Sequence, residues 1–219
     1  MKKWQGSVVP IQKYFFYLTI LTCIGCFFKF VEYEVYNNSG RRVKNLVYLN
    51  VLIEASKNTL VRVIVLLISL GYGIVMNVLR SYLTKICLLS FFYFVTNAIN
   101  VGLFYISEQR QLSKSIQVSL EIPEIALNCV FLLWIGKALL RTLSYLKQKQ
   151  QDFKLDIMKQ FSIVIIFFVL VRVIIVCSIV IYHLFSNRDS VWKNDYFFRI
   201  LYSLVFFVAL SMMLYIFRP

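Results

Sequence analysis

Charged residues, glycine, proline and histidine are all scarce in this chain of 219 residues. Charged side chains make up 16% of it, whereas water-soluble domains carry roughly a quarter. This shortage excludes an ordinary soluble domain, because polar groups could not cover its surface. The chain has one histidine, so a zinc or diiron centre is not expected. We expect no metal site and no cofactor.

Acidic residues are the scarcest charged type, with 10 Asp and Glu against 24 Lys and Arg, which gives a net charge of +14. On a soluble protein such a balance would suggest a nucleic-acid partner. Here the basic residues lie mostly at the ends of apolar runs and are not interleaved with exposed aromatic residues. We therefore expect membrane lipids rather than nucleic acid as the partner.

Long apolar runs are what the chain has in abundance, since 60% of its residues are hydrophobic and 17% are aromatic. Six runs are long enough to cross a bilayer, which takes about 20 helical residues. Backbone amides cannot stay unpaired in lipid, so each run is predicted to be a helix. The fold class is therefore an all-α membrane protein, and residues 1–219 form a single transmembrane helical domain with spans near 8–31, 47–78, 84–106, 115–140, 161–185 and 197–217.

The distribution of basic residues predicts the orientation of the chain. Twelve Lys and Arg flank the spans on the side of the N-terminus, and seven flank them on the opposite side. Because positive flanks stay in the cytosol, both termini are predicted to be cytosolic. The sequon Asn37-Asn38-Ser39 then falls in a luminal loop, which makes Asn37 a candidate glycosylation site.

Ionisable residues inside the predicted spans are the candidate functional residues, because each costs several kcal/mol unless it is paired or hydrated. Glu54 and Lys57 are three residues apart and can neutralise each other on one helix face. Two interpretations stay open. The groups form ion pairs that fix helix register, or they line a hydrated cavity open to the lumen in which Arg62 and Arg172 face Glu121 or Glu124. The full set is Lys29, Glu32, Glu54, Lys57, Arg62, Glu121, Glu124, Arg172, Asp195 and Arg199.

Small residues follow this charged segment. Ser69, Gly71 and Gly73 are spaced two residues apart near the predicted cytoplasmic end of the second span. Small residues let helices approach closely in lipid, so we interpret Gly71 and Gly73 as helix-packing positions rather than as a hinge.

The same region carries a family resemblance. The strings Lys57-Asn-Thr-Leu-Val-Arg62 and Leu67-Ile-Ser-Leu-Gly-Tyr-Gly-Ile-Val75 resemble the third membrane helix of the transmembrane protein 87 family. That family belongs to the lung seven-transmembrane receptor group, also called GOLD-domain seven-transmembrane proteins. The segment Leu133-Trp-Ile135 and the ending from Asp195 to Pro219 fit as well. The six spans would then resemble helices two to seven, with the luminal GOLD domain and first helix absent from this chain.

The resemblance implies a function as well as a fold. It implies a Golgi or endosomal multi-pass protein that acts in endosome to trans-Golgi retrograde transport or in cargo or lipid handling, with membrane cargo proteins as further partners. The alternative it implies is a cation channel or transporter, including a mechanically gated one. Phe28 and Val51 stand where the family has acids, which disfavours cation conduction. The sequence has no catalytic motif, so we expect no enzyme, and it indicates no particular oligomeric state.

Overall fold

The structure is a computed structural model. It describes residues 9–41, 43–72, 80–109, 114–185 and 191–217, with the side chains of most of these residues. Six α-helices make up this described part of the chain. No strand occurs within these ranges. In chain order the helices are α1 (Val9–Ser39), α2 (Lys44–Ser69), α3 (Arg80–Gln109), α4 (Lys114–Gln148), α5 (Asp152–Phe185) and α6 (Val191–Ile216). The predicted all-α fold class is confirmed.

Helix α1 continues beyond its predicted end, because no helix-breaking residue follows until Gly40. Gly40 has a φ of 64°, and its amide donates to the Tyr36 carbonyl at 2.9 Å. A positive φ at this position is characteristic of a glycine that ends a helix. The sequon residue Asn37 therefore lies in the last turn of α1, where it is exposed, and not in a loop as expected.

Helix α2 ends earlier than the predicted span, and Gly71 is the reason. Gly71 has a φ of 79° and its amide donates to the Ile68 carbonyl at 2.8 Å, while the Tyr72 amide donates to the Leu67 carbonyl at 3.0 Å. These two hydrogen bonds define a Schellman motif, which terminates a helix. Gly71 is buried, yet its structural role is to end α2 after Ser69. Gly73 lies outside the described residues.

The predicted polar connection between the fourth and fifth spans is mostly helical. Helix α4 continues to Gln148 and α5 begins at Asp152, so only three residues join them. Gln150 turns the chain there with a φ of 51°. Helix α4 also continues through Pro123, and the proline therefore does not end it.

Apolar composition and length identify four helical segments in the described residues that can cross a membrane: Gln12–Ser39, Tyr82–Leu103, Ile122–Gln148 and Asp152–Ile175. A shorter apolar segment, Leu204–Ile216, lies in α6. Helix α2 is not among the four, because Glu54, Lys57 and Arg62 interrupt its apolar sequence. Its charges must instead be satisfied by neighbouring helices.

The chain forms two compact units, of which residues 9–142 make up the first. In this unit α2 packs against both α1 and α3. Its central position is reflected in the burial of Ala55, Leu66 and Ile68, each of which is almost fully inaccessible. Helix α2 thus carries Glu54, Lys57 and Arg62 in its middle and also contributes much of the core of its unit.

The second unit contains the described residues from Leu143 onward. Helices α5 and α6 pack against each other, and the Phe161 and Phe217 rings meet edge to face at 5.7 Å. Leu146, near the end of α4, and Met158, in the second turn of α5, are fully buried. An open groove of about 540 Å³ lies between α5 and α6, and its lining is almost wholly apolar.

The Schellman motif predicts a specific cost for losing Gly71. Replacing Gly71 by alanine should lower the free energy of unfolding by about 1–2 kcal/mol, because a Cβ is disfavoured at this φ. Thermal unfolding of the purified protein in detergent measures the effect. Gly102→Ala is the matched control, since a Cβ there has no heavy atom within 4 Å and alanine favours a helix. Equal stability of the two variants would contradict the assigned role of Gly71.

Candidate functional site

Four polar residues of α2 follow one another at intervals of four positions: Asn50, Glu54, Asn58 and Arg62. We call them the α2 stripe. Each interval of four advances about 40° around the helix axis and rises about 6 Å, so the stripe spans about 18 Å and turns by about 120°. This rotation directs the first and last members of the stripe towards different neighbouring helices.

The first half of the stripe contacts α1. The Glu54 carboxylate forms an ion pair with the Lys29 ammonium, with Oε2 and Nζ separated by 2.8 Å. One turn away, the Asn50 amide donates a hydrogen bond to Glu32 Oε2. Glu32 is 3% exposed and Asn50 is 1% exposed. Two polar contacts, one turn apart, therefore join α1 to α2.

The second half of the stripe contacts α3 and α4. Asn58 donates to Asn97 Oδ1 of α3 at 3.3 Å. The Arg62 guanidinium donates through Nε to Asn128 Oδ1 of α4 at 2.7 Å and through Nη1 to the Asn58 carbonyl at 2.9 Å. Its Cζ atom lies 4.2 Å from the centroid of the Tyr93 ring, a cation–π contact. Arg62 thus has partners on three helices.

The Glu124 carboxylate of α4 accepts hydrogen bonds from three side chains of α3. The donors are the Tyr93 hydroxyl at 3.2 Å, the Asn97 amide at 2.9 Å and the Asn100 amide at 2.7 Å. The Tyr93 ring also contacts the Arg62 guanidinium. Tyr93 therefore contacts both the Glu124 carboxylate and the Arg62 cation. We call the whole set the Glu124 network: Asn58, Arg62, Tyr93, Asn97, Asn100, Glu124 and Asn128.

Local sequence spacing explains how these side chains converge. Tyr93, Asn97 and Asn100 are separated by four and three positions, so they share one face of α3. Glu124 and Asn128 are four positions apart and share a face of α4. Tyr93 is fully buried, with its ring edge to face against Phe131 at 5.6 Å. Apolar packing therefore surrounds the network and holds its side chains in place.

The structure brings together several of the residues that sequence reasoning selected. Arg62 and Glu124 meet through Tyr93, and Lys29, Glu32 and Glu54 lie together at the contact between α1 and α2. The partner of Glu54 on α1 was not anticipated from the spacing, which suggested neutralisation by Lys57 within α2. Lys57 is half-buried and lies five residues before Arg62 on α2. The side chains of Glu121, Arg172, Asp195 and Arg199 lie outside the described part of the structure, so their predicted roles stay predictions.

Asparagine residues were missed by a search that considered ionisable groups alone. The overlooked members are Asn50, Asn58, Asn97, Asn100 and Asn128, together with Tyr93. A signal for them exists in the sequence, because two of the asparagines complete a four-residue spacing with Glu54 and Arg62. A polar residue repeated on one face of an apolar helix predicts a buried polar contact.

The helices and their buried polar network define the class of this protein: an all-α, multi-pass integral membrane protein. The model of the family described as "GOST, seven transmembrane domain" matches residues 1–219. The chain belongs to this family.

Curated relatives agree with the predicted resemblance to the transmembrane protein 87 family. The chain is 27% identical to Transmembrane protein 87B of Mus musculus over 192 residues, which is 86% of the chain and 33% of the relative. It is 27% identical to Transmembrane protein 87A of Mus musculus over 202 residues, covering 89% and 36%. It is 26% identical to Membrane protein PTM1 of Saccharomyces cerevisiae over 227 residues, covering 99% and 43%. The chain thus spans between a third and less than half of the length of these relatives.

Removal of the Glu124 carboxylate tests the network directly. Glu124→Ala should lower the free energy of unfolding by about 3 kcal/mol, because three donors lose their common acceptor near the half-buried Arg62 guanidinium. Chemical unfolding in mixed micelles gives the value. Glu34→Ala is the control, since Glu34 is exposed and its loss should change stability by less than about 0.5 kcal/mol. Similar small effects from both substitutions would rule out the network as a structural centre.

A double-mutant cycle tests the contact between Lys29 and Glu54. Alanine at each position and at both should reveal a coupling free energy of about 1 kcal/mol, since the pair is partly shielded. The exposed pair Lys159 and Asp156, 3.4 Å apart on α5, provides the comparison. Its coupling should lie within about 0.5 kcal/mol of zero. A Lys29–Glu54 coupling no larger than that of the exposed pair would speak against the ion pair.

Proposed function

We propose that this protein acts in membrane trafficking at Golgi or endosomal membranes, in retrograde transport to the trans-Golgi network or in the handling of cargo or lipid. The Glu124 network is proposed as the site that recognises a polar group at membrane depth. The proposal is supported by membership in the seven-transmembrane family and by the network itself.

The observation that carries the proposal is a base and an acid held together within an apolar helix bundle. Charged residues at such depth are costly, and in membrane proteins they commonly mark substrate or ion pathways. Arg62 supplies a planar cation suited to phosphate or carboxylate groups, and Glu124 supplies an anion suited to an amine. Together they complement a lipid headgroup or a polar segment of a membrane cargo protein.

A second candidate function is a cation channel or transporter, which the length of the α2 stripe favours. The stripe places polar side chains along about 18 Å of a hydrocarbon layer that is about 30 Å thick. In the described residues Asn58 and Arg62 of the stripe hydrogen-bond side chains of α3 and α4. Conduction along the stripe would require these contacts to open, so trafficking is the preferred function.

A complementation experiment tests the preferred function. In cells that lack the protein, the wild-type chain should localise to Golgi or endosomal membranes and restore retrieval of a cargo that cycles between endosomes and the trans-Golgi network. Arg62→Met should reach the same membranes at similar abundance and fail to restore retrieval, because it removes the cation and keeps the side-chain length. Glu34→Gln, a change at an exposed acid, should restore it fully.

Two results would overturn the preferred function. One is full restoration of retrieval by Arg62→Met. The other is a wild-type protein that resides in a different membrane. Current through planar bilayers that contain the wild-type protein, reduced or altered in selectivity by Arg62→Met, would instead establish the channel.

A further inference from the structure

The open groove between α5 and α6, here called the α5–α6 groove, has a volume of about 540 Å³, and small-ligand sites in proteins measure about 300–1,000 Å³. Phe161, near the start of α5, contacts Phe217, just beyond the end of α6. The two helices are therefore antiparallel, and the groove lies towards this end of the pair. Its apolar lining consists of Ile163, Val164, Phe207, Val208 and Met212.

The α5–α6 groove has a polar end and an apolar end. Gln160 and Tyr215 lie at the end nearest the helix termini, whereas Val164 and Phe207 lie one to two turns further along. The Ser211 hydroxyl, between these two ends, donates to the Phe207 carbonyl of its own helix at 2.9 Å. Tyr215 is 75% exposed, and tyrosine is enriched where a membrane helix meets the headgroup layer. The groove thus has the polarity of a phospholipid, with one polar end and an apolar remainder.

The polar end of the groove lies beside a basic segment. Residues 147–160 contain four lysines and two aspartates. Lys159 lies one turn before Ile163, so its side chain shares a helix face with a residue that lines the groove. Its Nζ atom is 3.4 Å from Asp156 Oδ1, and both side chains are more than half exposed. Such an exposed pair is weak, so the ammonium can exchange Asp156 for a phosphate.

The depth of Lys159 suits contact with a headgroup. The segment that can cross a membrane begins at Asp152, and Lys159 is about 10 Å further along the helix axis. A lysine at this depth extends its ammonium back to the headgroup layer while its methylene groups cover apolar surface. The distribution of basic residues predicts that this end of α5 faces the cytosol, and the cytosolic leaflet is the one with a negative surface.

We propose that the α5–α6 groove binds one acyl chain of an anionic phospholipid, whose phosphate contacts the Lys159 ammonium and whose headgroup lies beside Gln160 and Tyr215. Lipid tails surround every apolar surface in a bilayer, so the apolar lining alone does not select one lipid over another. Selection comes from the lysine at the polar end. The proposal does not depend on the Glu124 network, which belongs to the other compact unit.

Photo-crosslinking in lipid nanodiscs tests the proposal. The purified chain is incorporated with a trace of phosphatidylserine or of phosphatidylcholine, each with the same diazirine-bearing acyl chain, and the labelled peptides are identified by mass spectrometry. The label should fall on residues 163–164 and 207–212. The phosphatidylserine probe should label them about fivefold more than the phosphatidylcholine probe, which is the effect of about one lysine near the membrane surface.

Two pairs of variants separate charge from shape. Lys159→Gln should bring the ratio of the two probes close to one, whereas Lys85→Gln, a change at an exposed lysine of α3, should keep it. Ser211→Phe should fill the groove and remove the label. Ser178→Phe is its control and should keep the label, because both serines are exposed and bond the carbonyl four residues earlier, but Ser178 lies outside the groove lining. Melting temperatures show that the variants are folded.

Several results would overturn the proposal. A label spread evenly over the lipid-facing helices would indicate boundary lipid only. Equal labelling by the two probes, or an unchanged ratio in Lys159→Gln, would exclude selection by this lysine. Retention of the label in Ser211→Phe would place the lipid elsewhere. Absence of label from the groove would show that no lipid chain occupies it, and crosslinks between two chains at this face would identify a second copy as the occupant.

Discussion

Every polar group that lies within the bilayer needs a partner from the protein, and this constraint governs the arrangement of α2. The side chains of Asn50, Glu54, Asn58 and Arg62 have partners on other helices, and Arg62 also bonds the Asn58 carbonyl of α2. Their four-residue spacing carries them around the helix axis, so that the first pair contacts α1 and the second pair contacts α3 and α4. Helix α2 accordingly packs against both α1 and α3.

The same constraint relates the two interpretations of the buried charges. Within the described residues, the charges have hydrogen-bond and ion-pair partners that fix the register of neighbouring helices. Arg62 and Glu124 also place a cation and an anion against the same residue, Tyr93. Helix packing alone does not require a pair of opposite charges at this position. A site of this kind has a structural role in the absence of a ligand and offers complementary charges to a polar group that enters the bundle.

The fold class could be predicted from the sequence, because the backbone of an apolar run in a bilayer must satisfy its own hydrogen bonds and therefore forms a helix. Sequence reasoning placed helix ends poorly, because polar residues such as Asn37 and Lys147 can extend a helix beyond the hydrocarbon layer. The role of Gly71 in ending α2 could not be predicted from residue spacing, because spacing does not reveal a positive φ. Glu54 could be selected from its charge, but its partner Lys29 depends on how α1 packs against α2. Asn97 is a neutral residue and was not predicted as a site residue, because its role depends on its hydrogen bond to Glu124.

A structure of the protein in lipid nanodiscs by electron cryo-microscopy is the most direct test of the central claim that the Glu124 network joins α2, α3 and α4. The account predicts Arg62 within hydrogen-bond distance of Asn128, and Glu124 accepting hydrogen bonds from Asn97 and Asn100. Density for a polar ligand against Arg62 would add direct support for the proposed recognition site. Arg62 or Glu124 turned towards lipid, with no partner from α3 or α4, would contradict the account.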